Sequence, residues 1–212
     1  VTIAAIIVPL KIRARRSELA VISQSGFVSG ACYFSLIGAS FMLLEIGAIQ
    51  RLNLFLGCPA YAVGVLLSAM IASTGLGSLL SGRLRVVRMP VLVIFPVATA
   101  CMALFASFGL NSMVTNLINW PLSSRIFASI VAVLPMGFLM GLFFPTGVEL
   151  AQRRNAAHLP WFLALNGVFG VLCSVLAVFL SIYFGLTMNF YLAAVGYVAA
   201  GGVLLRMSRK AA

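Results

Sequence analysis

An all-α polytopic transmembrane helix bundle, with six full spans and a truncated N-terminal helix, is what this sequence predicts, and three observations predict it. Hydrophobic residues make up 63% of the 212 and charged residues only 8%, far from the roughly half-apolar, quarter-charged usage of soluble domains. The apolar residues fall into runs of about twenty, the length a helix needs to cross a hydrocarbon core. Of the 14 Lys and Arg residues, all but Arg51 and Arg125 gather in alternate connections, the bias that cytoplasmic loops carry.

The chain starts at Val1 in an apolar stretch that ends in Lys11, Arg13, Arg15 and Arg16. Residues 1–16 are expected to be the end of a helix truncated from a longer polypeptide, because ten apolar residues cannot cross the bilayer alone. A signal peptide does not fit, since the positive charges follow the apolar run instead of preceding it. Residues 17–26 form a polar linker. The bundle occupies 27–205, with spans expected near Phe27–Ile49, Tyr61–Gly82, Pro90–Gly109, Ile126–Val148, Trp161–Phe184 and Leu186–Leu205. Between the third and fourth spans, Asn111, Asn116, Asn119, Trp120 and Pro121 suggest a short interfacial helix with Trp120 at headgroup depth. Residues 206–212 are a basic tail.

This basic bias orients the chain. The connections at Arg83, Arg85 and Arg88, at Arg153 and Arg154, and at Arg206, Arg209 and Lys210 all fall on one side. That side is expected to be the cytoplasm, with the C-terminus there and a bacterial inner membrane as the setting. The formal net charge of +11 therefore reports topology. The basic residues sit at span ends and make no contiguous face, so no nucleic-acid partner is expected.

Packing surfaces are written in small residues, which let helix backbones approach where no hydrophobic effect drives association. In the second span Ala69, Ser73, Gly77 and Ser81 recur every four positions, beside a row of Thr74, Ser78 and Gly82; Gly137 and Gly141, and Gly170 and Ser174, repeat the device. They are expected chiefly to pack the bundle tightly, and the faces of Ala69, Ser73, Gly77, Ser81, Gly137 and Gly141 are expected also to meet other membrane subunits within the lipid bilayer.

Few residues could carry chemistry. Only three acidic residues exist, and Glu45 lies inside the first span, where an ionisable group costs about 3 kcal/mol or more unless it faces a partner or a cavity. Arg51, six residues on, falls on a different part of the helix face, so a partner from elsewhere is expected: Arg125, or the Asn53 amide. Three roles stay open for Glu45: a carboxyl that snorkels or is neutral, a proton or cation site, and a polar clamp between helices. Pro145 with Gly147, in GLFFPTGVEL, should break or kink the fourth span, because proline removes a backbone hydrogen bond. Glu149 precedes Arg153 by four, the favourable order for an ion pair on one helix. Asn166 can hydrogen-bond across helices. The lone histidine, His158, is expected in solvent.

Cys32, Cys58, Cys101 and Cys173 form no CxxC pair and read as small apolar fillers. No phosphate-binding loop, nucleophile elbow or zinc motif is present, so no cofactor, metal or catalytic residue is assigned.

The ordered segments FMLLEIGAIQRLNLFLGCPAYAVGVLLS, GLGSLLSGRL, PMGFLMGLFFPTGVEL and PWFLALNGVFGVLCSVLAVFLSIYFG together resemble the C-terminal transmembrane region of the multi-pass spermidine-synthase-like proteins, over about Tyr33 to Gly185. Cys58 departs from that pattern, standing where its FLGxP element is expected to carry histidine. The resemblance implies a Rossmann-like, aminopropyl- and methyltransferase-related domain ahead of the helices, whose fold pattern is not in this sequence, so no catalytic residue carries over. The leading expectation is a non-catalytic membrane module, an anchor or an accessory subunit of a larger complex. The alternatives are half of a proton-coupled small-molecule transporter and the membrane part of a transferase. For the transporter, GSLLSGRL before Arg85 is similar to a loop of major-facilitator halves but lacks its aspartate.

Overall fold

The computed structural model describes residues 24–83 and 89–209. The expected truncated helix with Lys11, Arg13, Arg15 and Arg16, most of the linker, Arg85, Arg88 and Lys210 lie outside the described residues. Helices run in the order α1 (Gln24–Leu56), α2 (Pro59–Arg83), α3 (Met89–Asn116), α4 (Leu122–Gly141), α5 (Phe143–Asn155), a 3₁₀ turn at Ala156–His158, α6 (Leu159–Phe184) and α7 (Thr187–Arg209). No strand occurs among the described residues. Among the described residues six segments are long and apolar enough to cross a membrane, α4 and α5 counting together as one of 32 residues. Such helices satisfy their backbone polar groups internally, which hydrocarbon demands.

The boundaries differ from expectation where polar residues continue a helix past the apolar run. α1 does not stop near Ile49; it carries Gln50, Arg51 and Asn53 and ends only at Gly57, whose positive φ of 75° turns the chain toward Pro59. At ~1.5 Å per residue its 33 residues reach about 50 Å, well beyond a ~30 Å hydrocarbon core. α3 likewise runs on to Asn116, so the separate interfacial helix does not form. The turn that follows is closed by the Trp120 N–H donating to the Leu117 carbonyl at 3.1 Å.

α1 sits at the centre. It packs along α6 on one side and α7 on another, with α3 behind α7, while α2 pairs chiefly with α4. α2 and α6 stand apart from each other across a cleft. The α2–α4 pair is where the small-residue rows are spent. A side chain at Gly77 would run into the Phe138 carbonyl, one at Gly141 into the Thr74 backbone, and Gly137 faces Ser73. Ala69, Ser73, Gly77, Ser81, Gly137 and Gly141 are all buried within the chain. The rows pack the bundle, as expected, and the row on α2 and the row on α4 are each other's partners, so these buried positions are not open to another subunit.

The fourth span is interrupted at Leu142, three residues before Pro145. Proline at 145 has no N–H for the Gly141 carbonyl and its ring crowds that turn. The Leu142 N–H turns instead to the Leu139 carbonyl at 3.2 Å, and the Thr146 hydroxyl donates to the Leu142 carbonyl at 2.6 Å. The Tyr33 hydroxyl crosses from α1 to donate to the Phe143 carbonyl at 2.7 Å. Gly147 makes that approach possible, because a Cβ there would strike the Tyr33 ring.

Replacing Gly141 by Leu should force α2 and α4 apart and lower stability by about 1–3 kcal/mol, the usual cost of overpacking. Gly64→Leu, on α2 where a Cβ would meet nothing within 4 Å, should leave stability near wild type. Unfolding of both variants in detergent, followed by circular dichroism, checks the contrast.

Candidate functional site

Two polar regions lie along α1. The first is at its Leu56 end, where the α1, α3 and α6 C-termini meet the start of α7. Arg51 is only 9% exposed. Its Nη1 donates to Asn111 Oδ1 of α3 at 2.5 Å and its Nη2 to Thr187 Oγ1 of α7 at 2.6 Å. Its Nε is buried and without a hydrogen-bond partner. A second tie adjoins: the Ser181 hydroxyl of α6 donates to Gln50 Oε1 at 2.5 Å, and Asn189 Nδ2 of α7 donates to Ser181 Oγ at 2.8 Å. Arg125 donates through Nη1 to the Phe55 carbonyl at 2.8 Å, fastening α4 to the end of α1. The Arg51 guanidinium therefore joins three helices through neutral acceptors at Nη1 and Nη2, with Nε left over.

The second region is a cleft of about 720 Å³ between α2 and α6, floored by α1 and closed at one side by the α4–α5 break. Phe41, Met42, Ile71, Phe144 and Val171 give it apolar walls, and Asn166 and Tyr197 bring the polar atoms that matter most. Asn166 Oδ1 lies against the Gly38 backbone, and its side chain makes no hydrogen bond to a described residue.

Glu45 lies one turn beyond Phe41 and Met42 on the same face of α1. It is 8% exposed. The one ion pair among the described residues lies elsewhere, and no described residue donates a hydrogen bond to the Glu45 carboxylate. Arg125 and Asn53, the partners the sequence suggested, do not reach it: Arg125 is held at the Phe55 carbonyl, and Asn53 sits two turns farther along α1. Tyr197 is the group within electrostatic reach.

Glu149 and Arg153 pair at 2.7 Å on one helix face. Both side chains are largely exposed, so the pair contributes about 0.5 kcal/mol or less. His158 is not simply solvated: its ring meets the edge of Phe27 at 5.2 Å between centroids and lies near Phe162. The cysteines are all free, with Cys32 and Cys101 on the outer surface instead of filling the core. Sequence reading passed over Gln50, Asn111, Ser181, Thr187, Asn189, Tyr33 and Tyr197 as site residues. The available signal was their polarity near apolar runs, but partners 60 and 136 positions from Arg51 have no local spacing to betray them.

No family model matches the chain, and no curated protein or solved structure does either. Its class is thus defined by fold and site alone: an integral membrane module with six apolar crossings among the described residues, an arginine-centred tie and a cleft between α2 and α6.

Arg51→Ala removes the donor that Asn111 and Thr187 share, and stability should fall by about 1–3 kcal/mol. Arg125→Ala, which frees one backbone carbonyl at a half-buried position, should cost about 1 kcal/mol or less. Parallel denaturation curves in detergent would reveal whether the order holds.

Proposed function

We propose that this chain is the membrane module of a spermidine-synthase-like protein, acting as an anchor or accessory subunit of a larger membrane complex, with the Arg206 end in the cytoplasm. The observation that carries the reading is the uncovered face of α6. Only 11% of its span is buried inside the bundle, and Val171, Val175, Phe179 and Ile182 form an outward apolar ridge. Helices that pack in lipid gain little from apolarity alone, so such a ridge serves contact with lipid or with another membrane helix. The interior polar groups support the same reading: apart from Glu45 and Asn166, those described above join helix to helix. The family assignment rests on the ordered segments quoted from the sequence.

A second reading, half of a proton-coupled transporter, is favoured by one observation, the buried and unpartnered carboxylate of Glu45 beside the cleft. Ionisable groups in that position mark ion or proton pathways by default.

Purified from its native membrane in mild detergent, the chain should elute with at least one further polypeptide. A monomer that moves protons into pyranine-loaded liposomes, and loses that flux on Glu45→Gln, would replace the first reading with the second.

A further inference from the structure

We propose that the cleft between α2 and α6 binds a hydrophobic cation, an apolar or aromatic body bearing one positive charge, with Glu45 as its counter-charge. This goes beyond either functional reading above. The cleft volume of about 720 Å³ falls in the range of small-molecule pockets, ~300–1,000 Å³. Its largely apolar walls, built from helices long and apolar enough to cross a membrane, select against a strongly hydrated solute.

The glycines show that the space is built into the sequence. Gly75 of α2 and Gly167 of α6 both line the cleft, and a Cβ at either would meet nothing within 4 Å. Unlike Gly77 and Gly141, they are not demanded by close helix contact. Glycine within a helix costs about 1 kcal/mol relative to alanine, and here it leaves the walls bare.

Charge selects the ligand. Glu45 is buried, and among the described residues it has neither an ion pair nor a hydrogen-bond donor. A buried charge left unpaired is costly, and restoring its partner recovers much of that cost. The parallel pairing of α1 with α6 puts Met42 beside Gly170 and Gln50 beside Ser181. Glu45 does not itself line the cleft; it stands level with Ser174 and one turn beyond Phe41 and Met42, all lining residues, and so lies at the cleft's end. The nearest buried cation on α1, Arg51, is turned away and occupied by Asn111 and Thr187. Phe41, Phe143, Phe144 and Tyr197 line the same space, and aromatic faces attract a cation further. An acyl chain could fill the volume but would bring no charge to Glu45.

Tetraphenylphosphonium and tetraphenylborate, equal in shape and opposite in charge, are the probes. Equilibrium dialysis against the purified chain in neutral detergent should show saturable binding of the phosphonium at one per chain, with tetraphenylborate neither binding at that stoichiometry nor competing. Glu45→Gln should weaken phosphonium binding by about tenfold or more, and Gly167→Leu should abolish it by filling the cleft while leaving Glu45 in place. Equal binding of the two probes to the wild-type chain would overturn the proposal without recourse to any variant. So would undiminished phosphonium binding to either variant, provided it retains its helicity.

Discussion

In a bilayer an apolar side chain gains little by leaving lipid for protein, so a bundle holds together only where backbones come close or polar groups meet across helices. α1 carries most of that burden because it is the helix placed among the others. Its faces are divided by task. Tyr33 reaches the broken fourth span, Ser40 and Gly47 lie against α7, Gln50 and Arg51 bind α6, α7 and α3, and Gly38 admits Asn166 of α6. The α2–α4 pair is the other tight contact, made by small residues on both sides. Between these two well-packed regions α2 and α6 have no such means of closing, and the cleft is what remains.

The break at Leu142 shows how a disrupted backbone is tolerated at membrane depth. Pro145 leaves the Gly141 carbonyl without its usual donor, which would be costly in hydrocarbon. The break lies inside the bundle, where the Thr146 and Tyr33 hydroxyls donate to the neighbouring Leu142 and Phe143 carbonyls. Phe143 then packs on Phe95 and Tyr197 at 4.7 Å between centroids, so the break also joins α5 to α3 and α7. Proline inside a helix is not in itself disruptive to the same degree. Pro96 within α3 and Pro135 within α4 leave their helices continuous, and the Pro96 ring fills the space that a side chain at Gly201 would need.

The crossings were legible in the sequence because hydropathy over about twenty residues is a property of composition, and Gly57–Pro59 and Gly185 punctuate it locally. Helix ends were not. Gln50, Arg51 and Asn53 lower the hydropathy without ending the helix, since their hydrogen-bonding needs are met by other helices or at the interface. The small-residue rows were equally plain, but a row shows only that something approaches closely. Ser73, Gly77, Gly137 and Gly141 fit each other within the chain, and nothing in their spacing separates that from a fit to another subunit. The cleft could not be read at all, because it arises from two helices that do not touch.

Glu45 and Arg51 sharpen that division. They are six residues apart on one helix, about 9 Å along its axis and on different faces, so the shortest route to neutralising both charges is closed by geometry. Each could have been relieved by a neighbour, and only one was. Arg51 found neutral oxygens on α3 and α7 for its two Nη groups, which do not cancel its charge. Glu45 received no hydrogen bond from a described residue, and the Thr74 and Ser174 hydroxyls of the cleft are spent on carbonyls of their own helices. Left open beside a space that two bare glycines help to maintain, it has the placement of a group whose partner comes from outside the chain.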